Sequence, residues 1–405
     1  MSVARKRVSW VELYLDLIFV LGVGRLAHEI VAEPRMRTVW IALGLFLTLW
    51  WTWIGFAVLY NRHGDDDRVQ RLLFLAGSVP AGLAAVAIEP AAEGHSDALA
   101  LSLAATRVVL AVTHAIEDDW RDGLRRRVSR AYFTSAALFA VSVALPGPWR
   151  YVLWAIAIGV ESGAVLAQAP SSEAEALDSH HFAERFGLFL IILLGEVVIS
   201  AGNSPVAGEQ GVEGVWAALF ASMILGAALW WLYFDAAAEL NLRVLELSGG
   251  SPAIARAIFA GGHMVPAFGL ILTASGLGLL LEGHDPPRAA YWLACVGIGL
   301  YLAGTRVFLA AGSRAGGVLR VVLLVATFQL ARVADALSAH GYVWLLMAWT
   351  VMCAALGSLE SRSIDPETLR RKVSTSASSA GGSRGSRQDR RDSGAPGGGG
   401  GRRGA

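Results

Sequence analysis

The chain has 405 residues, of which 55% are hydrophobic and 17% charged, with a formal net charge of +1 at pH 7. A soluble domain carries nearer a quarter charged residues, and a water-facing globule of this size cannot hide so much apolar surface. A mean hydropathy of +0.50 therefore makes lipid part of the solvent. The near-zero charge and the scarcity of lysine, confined to Lys6 and Lys372, give no basic surface for nucleic acid. Cys295 and Cys353 both lie inside apolar runs, so neither a disulfide framework nor a CxxC metal site is expected.

A membrane helix needs about 20 apolar residues, and the chain offers such windows in order. Residues 1–9 are a short basic opening. The first window, 10–31, contains Glu12, Asp16, Arg25, His28 and Glu29 and lacks a small-x-small cleavage site, which favours an uncleaved helix over a signal peptide. Windows at 39–60, 70–89, 98–116, 131–146 and 149–168 follow, the last two parted only by PGPW. A second set covers 184–201, 215–235, 255–281, 289–311, 317–336 and 341–359. From residue 360 to 405 the composition turns to Ser, Gly and Arg, which cannot bury a core, so a disordered basic tail is expected.

Arginine placement tests the count. With the N-terminus inside, the inner loops hold Arg62, Arg68, Arg71, Arg121, Arg125, Arg126, Arg127 and Arg130. The outer loops hold only Arg35, Arg37, Arg150 and Arg288. That asymmetry fits the positive-inside rule. The fold expected is an all-α, polytopic integral membrane bundle of about twelve helices in a bacterial inner membrane, with both termini cytoplasmic.

Two stretches resemble each other. Glu12-Leu13-Tyr14 runs through LDLIFVLG to Gly22, and Glu184-Arg185-Phe186 through GLFLIILLG to Gly195. The next window of each set carries a tryptophan pair, Trp50-Trp51 and Trp230-Trp231. Two six-helix halves are therefore expected, 10–168 and 169–359, in the manner of parallel-repeat transporters.

Ionisable groups inside membrane spans cost about 2.5–3.5 kcal/mol each on insertion scales, and they face the bundle interior. Glu12 and Asp16 share a helix face, and Arg25 can pair with Glu29 four residues on. Two readings compete: an interfacial Glu12 with Asp16 in a register-fixing pair with Arg107, Arg306 or Arg332, or Asp16 as a proton or cation site. His180 and Glu184 share a face at the start of the seventh window, where a hydrogen-bonded cap competes with an HxxxE metal site that has no partner cluster. Glu196, in LLGEVVI, has no local counter-ion and is a candidate proton carrier. Asp235 follows the WWLYF aromatic belt, while His114 and Glu161 are weaker candidates. His263 precedes Pro266 within FAGGHMVPAFG, a broken-helix signal matched by Pro80 in FLAGSVPAG, and such breaks build midplane sites. No P-loop, GxSxG elbow, HExxH or twin CxxC occurs, so no cofactor or resident metal is expected and nothing marks an enzyme.

The stretches WVELYLDLIFVLGVGRLAHEI, WWTWIGFAVLYNRHGDDDRVQRLL, HHFAERFGLFLIILLGEVVIS, WWLYFD and FAGGHMVPAFGLILTASG resemble the bacterial low temperature requirement protein A family. The resemblance implies a multi-pass bacterial membrane protein without a defined biochemical activity. It places signature positions at Glu12, Asp16, His28, Asn61, Asp67, Arg68, Glu184, Arg185, Gly195, Glu196, Asp235 and His263. Arg25 departs from the family pattern. The function expected is ion- or proton-coupled transport of a small solute, with membrane lipid, a proton or small cation and an unidentified solute as partners. The rivals are an intramembrane lipid-modifying enzyme using Glu184 and His180, and a non-catalytic scaffold or sensor.

Overall fold

A computed structural model of the chain describes residues 8–63, 68–116, 123–166, 178–202, 212–248, 252–282, 285–306, 314–362 and 367. Among them every regular element is helical. In order these are α1 (Trp10–Ala32), α2 (Met36–His63), α3 (Arg68–Val86), α4 (Ile88–Ala92), α5 (Asp97–Ile116), α6 (Gly123–Ser142) and α7 (Gly147–Leu166). Then come α8 (Ser179–Gly202), α9 (Val212–Trp231), α10 (Ala238–Leu247), α11 (Pro252–Ala255), α12 (Met264–Glu282), α13 (Arg288–Arg306), α14 (Arg314–Leu330) and α15 (Ala339–Arg362). Two π turns, Leu232–Ala237 and Arg256–Gly262, join α9 to α10 and α11 to α12.

Over its described residues, each window expected to span falls mainly on helix. Among the described residues, seven helical stretches are long and apolar enough to cross a membrane: Met36–Asn61, Arg68–Val86, Asp97–Ile116, Trp216–Leu247, Arg256–Glu282, Gly317–Ala334 and Ala339–Arg362. α1 is not among them because Glu12, Asp16, Arg25 and Glu29 crowd its length. Asp67, most of the tail and the expected boundary at 168/169 lie outside the described residues.

Local chemistry sets the ends of these helices. Ser9 and Glu12 form a reciprocal capping box that starts α1. The short α4 closes on Gly94, whose φ of +102° is a conformation that L side chains rarely adopt. Trp10, Trp40, Trp149 and Trp216 are exposed near helix ends, where the amphipathic indole suits a membrane interface.

α12 is the axis of the bundle. Every residue from Pro266 to Leu281 is buried, a helix apolar all round and covered on all sides. It packs closely on α13 and also meets α1, α8 and α9. The approach to α13 runs through glycines: a Cβ on Gly269 would fall 2.7 Å from the Gly297 carbonyl, and one on Gly276 would fall 2.9 Å from the Ala290 carbonyl. Small residues let backbones approach where apolar surface alone gives no preference for helix over lipid. Ser275 adds a hydrogen bond from its hydroxyl to the Ala27 carbonyl of α1, at 3.2 Å.

The expected matching breaks do not match. Pro80 sits within α3 without interrupting it, whereas the π turn Arg256–Gly262 takes in FAGG and ends directly before His263. The tryptophan pairs also differ, with Trp50 3% exposed and its counterpart Trp230 41% exposed. Because the obstructing atoms at Gly276 are backbone, Gly276→Val is expected to destabilise by on the order of 3 kcal/mol. Gly44→Ala, with nothing within 4 Å, should be near neutral. Thermal unfolding of the two variants in detergent checks the difference.

Candidate functional site

The chemistry collects where the beginnings of α1 and α8 meet α2. The i, i+4 spacing puts Glu12 and Asp16 on one face of α1, and both are fully buried. Arg185, in the second turn of α8 and also fully buried, lies between them. Its Nη1 donates to Glu12 Oε1 at 2.5 Å and its Nη2 to Asp16 Oδ1 at 3.2 Å. Trp53 of α2 donates its indole N–H to the same Asp16 oxygen at 2.7 Å, and its ring lies 5.8 Å from the guanidinium carbon. Asp16 is thus paired neither with Arg107 nor with Arg332; its partner comes from the second half of the chain.

His181 completes the group. Its Nε2 lies 3.2 Å from Glu12 Oε2, its Nδ1 3.1 Å from Asn61 Nδ2, and its ring stacks on Tyr60. The Asp178 N–H donates to Asn61 Oδ1 at 3.1 Å, so the amide turns its NH2 toward His181. The neighbours therefore assign the imidazole proton to Nε2, pointing at Glu12. Two polar atoms in the cluster lack hydrogen-bond partners among the described residues, Asp16 Oδ2 and Arg185 Nε. Glu12, expected at an interface, is instead an internal ligand of Arg185, while its repeat counterpart Glu184 is exposed.

An aromatic layer covers this group. Trp53 contacts Phe186 and Phe189 edge-on and tilted, at centroid distances of 4.7 and 4.2 Å, and Phe186 meets the His263 ring at 5.1 Å. Asp16 and His263 are thus linked through Trp53 and Phe186. His263 follows the second π turn and bridges it to the first: Tyr233 OH lies 2.7 Å from its Nε2, and its Nδ1 lies 2.9 Å from the Ile258 carbonyl. With the phenol donating and Nδ1–H on the carbonyl, the ring is neutral. Trp50 donates to the Ala260 carbonyl in the same turn, at 2.8 Å. Wider turns release carbonyls from the helix ladder, and here side chains satisfy them.

The other candidates lie elsewhere. Glu196 is half-buried on α8, where among the described residues its only hydrogen-bond contact is Ser200 at 3.5 Å, and it lines a cleft of about 690 Å³ with Gly24, Arg25, His28 and Glu282. Arg25 bonds Glu89 of α4 at 2.9 Å rather than Glu29. His180 pairs with Glu246 at 2.9 Å, not with Glu184. Glu184 borders a separate cleft of about 610 Å³ against α10. Asp235 accepts a 2.5 Å hydrogen bond from Ser358 of α15, which in turn accepts from Trp231. No cluster of three metal-ligating side chains occurs among the described residues.

Sequence reasoning did not find Trp53 or the second buried pair. Arg107 of α5 contacts Glu161 of α7 at 3.0 Å and Thr52 of α2 at 2.6 Å, while Ser135 of α6 bonds the same carboxylate. The signal for Trp53 was its place three residues after Trp50, on one face of α2.

An all-helical membrane protein whose interior is organised by fully buried ion pairs is the class these features define. The chain belongs to the bacterial low temperature requirement A protein (LtrA) family, whose model matches residues 7–356. It is similar to an uncharacterised protein of Rhizobium meliloti (strain 1021), with 26% identity over 341 residues, 80% of this chain and 83% of that one.

Removing Arg185 leaves two carboxylates buried without a cation, which costs about 3–5 kcal/mol. Arg185→Met should therefore unfold at much lower temperature than the parent. The triple change Glu12→Gln, Asp16→Asn, Arg185→Met should recover part of that loss, as thermal unfolding in detergent would show.

Proposed function

We propose that this chain is a proton-coupled transporter of a small solute in the cytoplasmic membrane. In this reading all the long helices span, in two six-helix halves, and both termini are cytoplasmic. The arginine asymmetry supports that orientation. The starts of α1 and α8 then face the cytoplasm, and the Glu196 cleft faces the other side.

The observation that carries the reading is the charge balance of the buried cluster. Glu12 and Asp16 bring two negative charges, Arg185 brings one positive charge, and His181 is held neutral by Asn61. The group is electroneutral only when it holds one further proton, and a net charge buried away from water is expensive. Asp16 Oδ2, the carboxylate oxygen without a partner, is the place for it. Arrival and departure of that proton would alternately loosen and tighten the grip of Arg185 on α1, linking proton movement to the fit between the two halves.

Along α8, Arg185 and Glu196 are about 16 Å apart at 1.5 Å per residue, so the two carboxylate sites would serve opposite ends of one route. His263, neutral and tied to both π turns, would sit on the wall of that route. A lipid-modifying activity at Glu184 and His180 is less well supported, because His180 is engaged by Glu246 rather than aligned with Glu184.

Asp16→Asn keeps an acceptor for Trp53 but cannot bind the balancing proton. In proteoliposomes with an entrapped pH dye, proton movement driven by amino acids, sugars or metal cations should fall to the level of empty liposomes. The unfolding temperature should hold. Parent and variant behaving alike across the panel would refute the proposal.

A further inference from the structure

The cleft beside Glu196 has a polarity gradient along its length. On α1 its wall is Leu17, Leu21, Gly24 and His28, a helical i, i+4, i+7, i+11 series on one face. Leu17 and Leu21 are 57% and 46% exposed, and Ile199 of α8 is 53% exposed. The cleft therefore opens sideways, toward the region where acyl chains lie. The Leu17–Leu21 end is purely apolar, while the other end carries both signs of charge: Arg25 and His28 on α1, Glu196 on α8 and Glu282 on α12.

Glu196 is the unsatisfied element in this arrangement. Among the described residues no cation pairs with it, and Ser200 at 3.5 Å is a weak contact. Gly24 leaves the space its carboxylate occupies, since a Cβ there would sit 3.1 Å from Oε2. A half-buried carboxylate at membrane depth calls for a counter-ion. A metal ion does not fit the role, because no three carboxylate or imidazole groups approach one another there. Arg25 gives Glu89 a hydrogen bond through Nη1 and also lines the cleft, as does His28 one turn beyond it.

We propose that this cleft binds one zwitterionic aminophospholipid from the bilayer. Its primary ammonium would rest on Glu196, its phosphate would face Arg25 and His28, and its acyl chains would run along Leu17, Leu21 and Ile199. Both signs of headgroup charge then meet their complement, and the chains cover apolar surface that the fold leaves open. The assignment of this lipid to the outer leaflet rests on the orientation given under Proposed function; the binding itself does not.

The test is native mass spectrometry of the full-length chain, delipidated in detergent and titrated with phosphatidylethanolamine, phosphatidylcholine or phosphatidylglycerol. A primary ammonium donates charge-assisted hydrogen bonds that a quaternary one cannot, so phosphatidylethanolamine should be retained about tenfold more strongly than phosphatidylcholine. Glu196→Gln should erase that preference. Gly24→Leu, which fills the cleft, should lower retention of every phospholipid without changing the buried cluster at Arg185. Equal retention of the two zwitterionic lipids by the parent, a preference for phosphatidylglycerol, or an undiminished preference in Glu196→Gln would each overturn the proposal. A failure of proton flux in proteoliposomes leaves this result untouched, and indifference to headgroup leaves the transport reading untouched.

Discussion

A fully buried guanidinium has no water to turn to, and this condition governs how α1 and α8 are placed. Arg185 makes its ion pairs with two carboxylates one turn apart on a single face of α1, so the two helices can dock in one register only. A shift by one residue along either axis would carry the guanidinium about 1.5 Å and rotate it out of the plane of its partners. Apolar side chains cannot supply that discrimination in lipid, where burying a leucine against protein or against an acyl chain is nearly equivalent. Specificity must come from polar groups with too few partners and from backbones brought close by glycine.

The rest of the bundle repeats this logic with different parts. α5 and α7 are tied through Arg107 and Glu161, with Thr52 and Ser135 taking positions around the same pair. α12 and α13 fit backbone to backbone at their glycines. The two π turns are tied to each other by Tyr233 and His263 and to α2 by Trp50. Three physical devices, ion pair, glycine contact and side-chain-capped carbonyl, hold a helix bundle whose outer surface is almost indifferent to its surroundings.

Much of the architecture was legible in residue order, because a run of twenty apolar residues has few alternatives to a helix in lipid. The family resemblance was equally legible, carried by ELYLDLIFV and ERFGLF. What residue order did not reveal was who meets whom. Asp16 had several arginines to choose from, and the one chosen lies 169 residues away, a pairing decided by three-dimensional packing that no local spacing encodes. Glu12 read as interfacial because it stands at a helix start, and only its neighbours make it internal. The glycines and proline around His263 signalled a disturbance in the helix, but whether it would be a break or a wider turn depends on whether side chains arrive to cap the released carbonyls. At Pro80 the helix runs through.

The turn at Arg256–Gly262 has a consequence for how this chain can change over generations. A π turn holds one residue more than the α turn it replaces, and each residue of an α-helix turns the chain by about 100°. Deleting one residue there would straighten the ladder while swinging α11 about 100° relative to α12, and inserting one into a neighbouring helix would do the reverse. Small length changes at such turns re-aim an entire flanking segment without disturbing the buried axis. They offer relatives of this chain a route to new wall chemistry around His263 that ordinary substitution would reach only slowly.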